Sequence, residues 1–216
     1  MNKIKVLFCA PKIGVSGGIS KWAKFIIDEL KFDEQIKLNH LEFTRSSFIA
    51  YESLTNRILL GIKDYFFFLI KIIKQLLKFN DDILYISSSG SFGLIRDFLI
   101  LILCKLFNIK FFIHFHFGRI PSILEINSWE KKLLLLVIRL STKTIVLDKD
   151  SYYNLSNLYP NIEYLPNPLS RDVKEYCNHN SSVRRKPRTI LFAGEMLKSK
   201  GIFDLLEACK DIDDIK

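Results

Sequence analysis

Lys3–Ala10 reads KIKVLFCA, Pro11–Gly17 reads PKIGVSG, and Gly18–Leu30 reads GISKWAKFIIDEL. The first run is short, β-branched and aromatic, and it stops at a proline, which predicts a buried strand. The middle run is a loop with Gly14 and Gly17, and Gly18 opens the third run. In the third, Ile19, Trp22, Ala23, Ile26, Ile27 and Leu30 recur at offsets of 0, 3, 4, 7, 8 and 11, one face of an α-helix. Strand, glycine loop, helix: the chain opens with a βα unit.

The same alternation continues outward from that unit. Strands are predicted at Ile36–Thr44, Asp82–Ser87, Ile109–Phe117, Thr142–Leu147 and Ile162–Leu165. Helices are predicted at Leu54–Phe79 (with an interruption near Gly61), Phe92–Phe107, Ile126–Leu140 and Ser151–Leu158. Pro166-Asn167-Pro168 closes the last of these strands as a rigid exit. Ser170–Pro187 is polar and charged, as an interdomain link would be. Arg188–Ala193 then reads as a new strand and Ile202–Cys209 as a new helix. The expected fold is α/β: a mostly parallel sheet with helices on both faces. Its expected divisions are a domain over 1–169, a link over 170–187, and the first βα unit of a second, incomplete domain over 188–216.

Composition excludes several classes. With 49% hydrophobic and 25% charged residues the chain can bury a core, so disorder is excluded. A net charge of +9 suits nucleic acid, anionic lipid or phosphorylated small molecules. Nucleic acid is disfavoured, because no zinc-finger spacing, RNP-type motif or dense Lys/Arg block is present. Cys9, Cys104, Cys177 and Cys209 are scattered and form no C-x-x-C pair. With no secretory signal at the N-terminus, the cytoplasm is the expected compartment. Ile58–Phe79 and Phe98–Phe107 are apolar, yet charges break both below the roughly 20 residues of a membrane span. Buried core helices are expected there, with interfacial binding by a basic, aromatic helix as the alternative.

In parallel α/β sheets ligands bind at the carboxyl ends of strands, near the switch in strand order. Residues just after the strands therefore matter most. Gly17 and Gly18 can let backbone approach an anion at a helix N-terminus, or simply make a tight turn. They lack the G-x-G-x-x-G spacing of a dinucleotide site. His114 and His116 share one face of their strand, opposite Phe111, Ile113, Phe115 and Phe117. A histidine at a strand tip can bond a sugar hydroxyl or a phosphate, sit as a satisfied core residue, or be inert. A two-histidine metal site is disfavoured, since His40 and His179 show no ligand spacing. Gly194 can allow close backbone approach. Lys198 and Lys200 can neutralise a diphosphate as point charges, or be solvated surface residues.

In this order, GGISKW, FIHFHFG, TIVLDKDSYYNL, IEYLPNPL and ILFAGEMLKSKGIFDLLEA resemble glycosyltransferase family 4 along nearly the whole chain. The resemblance implies a GT-B fold, in which two Rossmann-like domains face each other across a cleft. It also implies a retaining, hexosyltransferase-like activity in surface-polysaccharide or lipopolysaccharide synthesis. The donor would be a nucleotide-diphosphate sugar, and the acceptor a saccharide or a lipid-linked one at the inner face of the plasma membrane. Carried over by position, Gly17 and Gly18 lie beside the donor phosphates or the acceptor, and His116 touches the donor sugar. Lys200 steadies the leaving diphosphate. No metal or other cofactor is implied, because side chains and helix N-termini stabilise the departing charge.

The sequence departs from the family twice. Glu195 stands where many relatives carry Arg, which leaves Lys198 as the substitute cation. The family's paired acidic motif belongs beyond Lys216, and nothing here replaces it; Glu207 reads as a surface helix residue. Residues 1–216 alone are therefore expected to show little or no transfer. The alternative is a non-catalytic acceptor-binding module completed by a partner chain.

Overall fold

The computed structural model describes residues 3–14, 17–43, 54–78, 81–168, 171–179, 189–194, 196, 198–210 and 212. It divides into two compact units, Met1–Pro168 and Leu169–Lys216.

Six parallel strands form the first unit's sheet: β1 (Ile4–Pro11), β2 (Ile36–Phe43), β3 (Ile83–Ser88), β4 (Lys110–Phe115), β5 (Lys143–Val146) and β6 (Ile162–Tyr164). Their order is β2-β1-β3-β4-β5-β6. The chain moves from β1 to one side and then returns past it, so the switch point lies between β1 and β3. Side-chain alternation then decides which helix covers which face. Leu7, Cys9, Leu84, Ile86, Phe111, Ile113, Phe115 and Val146 point one way into the larger core. Helices α2 (Leu54–Lys78), α3 (Gly93–Leu106), α4 (Ile120–Glu125), α5 (Trp129–Leu140) and α6 (Lys149–Ser156) contribute to that core. Phe8 and Ala10 point the other way, onto Trp22 and Ala23 of α1 (Gly18–Leu30). The opening βα unit is thus the only part of the first unit's described helices on its face.

Several local signals account for the helix ends. Ser128 caps α5 by accepting from the Lys131 amide at 3.2 Å, and Asp148 caps α6 by accepting from the Ser151 amide at 2.7 Å. The predicted Ile126–Leu140 helix therefore starts at Trp129. A separate short helix, α4, precedes it with Pro121 in its first turn, where a missing N–H costs nothing. Helix α2 runs through Gly61 without interruption.

Both apolar segments were expected to be buried, and here the structure corrects the expectation. Leu94, Ile100, Leu101 and Cys104 of α3 are buried, but Ile95, Leu99, Ile102 and Leu106 on its other side are exposed. On α2, Phe68, Ile72 and Leu76 are buried while Phe66, Phe67 and Leu77 are exposed.

In the second unit, α7 (Arg171–His179) occupies half of the expected link. Its apolar residues, Val173, Tyr176 and Cys177, are exposed, so no buried stripe announced it. The expected strand Arg188–Ala193 is corrected as well: described residues 189–194 form no strand. Leu191 is 87% exposed. A strand exists only through a ladder with a neighbour, and the described residues of this unit offer none. Helix α8 (Ile202–Cys209) forms where predicted, from the left-handed Gly201. Thr44, Phe79, Glu195 and residues 180–188 lie outside the described residues.

Candidate functional site

The switch point brings together two loops separated by about seventy residues of chain, and a third follows β4. Gly17 has φ of +142°, a conformation that favours glycine, and α1 begins immediately after it. A Cβ at Gly17 or Gly18 would meet nothing within 4 Å, so both glycines face open space. The Ser20 hydroxyl donates to the Lys12 carbonyl at 2.8 Å and ties the loop to the helix start. First-turn amides have no acceptor inside their own helix, and α1 carries no acidic residue there to cap them. A helix start of this kind can accept an anion.

One helical turn into α1 stands Trp22. Its indole packs against both histidines of β4, with ring centroids 4.9 Å from His114 and 4.5 Å from His116. The two imidazoles are 4.1 Å apart, as an i, i+2 pair on one strand face must be. Tyr85 closes the group from β3: its hydroxyl lies 2.8 Å from His114 Nδ1, and its ring stacks on Trp22 at 5.9 Å. The His116 amide donates to the Ser88 carbonyl at 2.9 Å, continuing the β3–β4 ladder one step and fixing where that imidazole sits. His116 and the helix that starts at Gly18 thus meet through Trp22, on the face of the sheet that α1 covers.

Electrostatics follow from burial. Desolvation lowers the His116 pKa from 6.5 to about 4. It lowers His114 to about 2, with the neighbouring His116 adding to the effect. The Leu165 main chain pulls His114 slightly the other way without reaching hydrogen-bonding geometry at its Nε2. Both rings are therefore neutral at pH 7, each with one donor and one acceptor nitrogen. Among the described residues, His116 Nε2 and Trp22 Nε1 are buried and have no hydrogen-bond partner. His40 Nε2, Asp81 Oδ2, Ser87 Oγ, Asp97 Oδ2 and His114 Nε2 share that status, and native proteins leave few such atoms without a partner.

A second cluster frames the neighbouring strand tips. Gly90 (φ +75°) and Ser91 (φ +51°) turn the β3–α3 loop back on itself. A Cβ at Gly90 would lie 2.8 Å from the Phe117 ring, so glycine is required twice over. Arg119 donates to Ser91 Oγ at 2.6 Å and to Glu130 Oε1 at 2.7 Å, and the same carboxylate oxygen accepts from the Ser91 amide at 2.9 Å. This network locks the loops after β3 and β4 to the start of α5. Trp22, Tyr85 and Arg119 were not singled out from sequence. An aromatic on a helix face and an Arg after a strand are common, and only the fold makes them neighbours.

Gly194 is exposed and packs beside Phe192, 3.3 Å from where its Cβ would be. Lys198 and Lys200 are exposed at the two ends of a short 3₁₀ turn before Gly201. These three residues belong to the second unit. Among the described residues, no three His, Cys, Asp or Glu side chains converge as metal ligands. A shallow concavity bounded by Lys3, Ile27 and Asp33 opens at the amino ends of β1 and β2. Lys31, Lys37 and His40 also line it, and the Asp33 carboxylate there is already engaged by the Gln35 and Ile36 amides.

These features define a Rossmann-like α/β protein whose strand order switches between β1 and β3. Compared with known proteins, the chain matches no family model and no curated sequence.

Proposed function

We propose that the chain belongs to a retaining GT-B-type glycosyltransferase and that its first unit handles the sugar. The donor is a nucleotide-diphosphate sugar and the acceptor a saccharide or lipid-linked saccharide. One observation carries the reading: the contact between Trp22 and His116, which joins the glycine loop and α1 to the HFHFG strand tip. Neutral imidazole suits a hydroxyl. A cationic histidine would favour phosphate, whereas a neutral one pairs with a hydroxyl as donor or acceptor. A sugar hydroxyl would pair with His116 Nε2, which is buried against Trp22, once that indole swings aside, and the anionic end of a ligand goes to the amides at the start of α1. Tyr85 acts through His114: its hydroxyl holds the ring beside His116 in one orientation. On the resemblance alone, Lys200 would steady the leaving diphosphate, with Lys198 as the substitute for the family's arginine.

A non-catalytic module completed by a partner chain is the second reading. Helix α8 bears on it, because none of its residues is buried and Phe203 and Leu206 are about 60% exposed, a face that further sequence or a partner chain would cover. Such a face is stabilised only when another surface covers it.

Saturation-transfer NMR on residues 1–216, with a panel of nucleoside-diphosphate hexoses and free hexoses, tests the proposal. Transfer to sugar-ring protons of at least one ligand is expected, falling about tenfold in His116→Ala, the size of one lost hydrogen bond to a polar ligand. No transfer to any sugar ring, or undiminished transfer in His116→Ala, contradicts it.

A further inference from the structure

Helix α3 carries apolar side chains on its outer side as well as on the side that enters the core, where Arg96 and Asp97 pair. Phe92, Ile95, Leu99, Ile102 and Leu106 are spaced by 3, 4, 3 and 4 residues, which aligns them along the outer side. All five are exposed, Phe92 by 68% and Leu106 by 75%. An apolar helix with one open side is unusual for a surface that meets only water.

The stripe does not stand alone. Helix α3 contacts α2 on one side and α5 on the other. Helix α2 adds exposed Phe66, Phe67 and Leu77, and α5 adds Trp129 and Leu136. The Phe92 and Trp129 rings lie 5.5 Å apart and bridge α3 to α5. Three neighbouring helices thus expose apolar side chains on the outer side of one layer.

Charge identifies what covers this face. Lys63, Lys71 and Lys74 of α2, Lys105 of α3, and Lys132 and Arg139 of α5 are all in the exposed class. No acidic side chain described on these helices is. Asp64 and Glu130 are partly buried, Glu130 held by Arg119 and the Ser91 amide, and Asp97 is fully buried. A second copy of the chain would bring lysines against lysines across a two-fold interface. A layer of anionic headgroups above acyl chains matches both components: lysine heads reach the headgroups while Phe, Ile and Leu enter the acyl boundary.

From this we infer that the outer face of α2, α3 and α5 docks flat on an anionic lipid bilayer. No helix among the described residues is long and apolar enough to cross a membrane, so the helices lie in the interface plane. The docking edge adjoins the strand tips. Phe92 follows Ser91, and Ser91 is bonded to Arg119, three residues after His116. A ligand anchored in the bilayer would therefore emerge beside the β3 and β4 loops. The inference needs no transfer reaction and is tested without one.

Flotation of the full chain with phosphatidylcholine vesicles, with and without phosphatidylglycerol, at low salt is the test. Binding only to the vesicles containing phosphatidylglycerol is expected, weakened by at least about tenfold in Lys71→Glu/Lys74→Glu. Phe92→Ser/Leu106→Ser is expected to lose a similar amount. These side chains are exposed, so both variants should retain the wild-type circular dichroism. Three results would each overturn the inference: no flotation on anionic vesicles, equal flotation on both vesicle types, or double variants that float like wild type. A wild-type dimer that Phe92→Ser/Leu106→Ser dissociates without vesicles would assign the face to a second copy instead.

Discussion

Replacing Asp97 with alanine is expected to destabilise the chain by about 3–5 kcal/mol, the usual cost of stranding one member of a buried ion pair. Asp97 is fully buried on α3, and Arg96 beside it is 6% exposed. The Arg96 Nε and one terminal nitrogen donate to the same carboxylate oxygen at 2.9 and 2.7 Å. Burial raises the Asp97 pKa, while the Arg96 charge and the Ser88 hydroxyl pull it back. Among the described residues, Asp97 Oδ2 has no partner in hydrogen-bonding geometry, so Arg96 is the group that holds this carboxylate. Without Asp97 the guanidinium keeps the Phe43 ring, 4.3 Å from its central carbon, as a favourable neighbour among the described residues. Urea unfolding measures the loss. Replacing both partners, with Arg96→Met and Asp97→Leu, should recover much of it, because no buried charge is then stranded. A cost below about 1 kcal/mol for Asp97→Ala would mean that Arg96 reaches water.

Acid should weaken the fold through the histidine pair. Both folded pKa values lie below the unfolded value of 6.5, at about 4 for His116 and about 2 for His114. Their contribution is therefore complete above pH 6.5 and is lost progressively as pH falls toward 4, because the unfolded chain takes up protons that the folded one refuses. At about 1.4 kcal/mol per pKa unit, His116 alone accounts for on the order of 3 kcal/mol over that window. His114 does not simply add, since part of its lowering comes from His116. Asp81 and Asp97 act in the opposite sense, because burial raises their pKa values. The readout is therefore a difference: unfolding free energies of wild type and His116→Gln between pH 7.5 and 4.5. The variant should lose less stability over this range by roughly 3 kcal/mol. Parallel curves would place the His116 ring in water.

Much of the fold was legible because burial on both faces of a parallel sheet leaves a simple pattern. KIKVLFCA and FFIHFHF are strands whose alternate residues supply the two cores, and the histidines share the predicted face. Other parts were illegible for physical reasons. Ile126–Leu140 is one apolar period in sequence, but the Ser128 cap divides it. Arg188–Ala193 has strand composition, yet a strand depends on its neighbours, and no composition supplies them. The outer side of α3 read as core because periodicity reports apolar residues and not what covers them. At the site, Gly17, Gly18 and His116 could be named from position after a strand. Trp22 could not, because its partner stands 94 residues later and only the β1–β3–β4 order brings them together.

The most direct test of the strand-tip site is one NMR titration of the isotopically labelled chain with nucleoside-diphosphate hexoses, following the Gly18 amide and the His116 imidazole together. Both signals should move with a single dissociation constant for one donor in the panel. Movement of the Gly18 amide while the His116 ring stays fixed, or of neither for every donor, would contradict a shared sugar-binding wall.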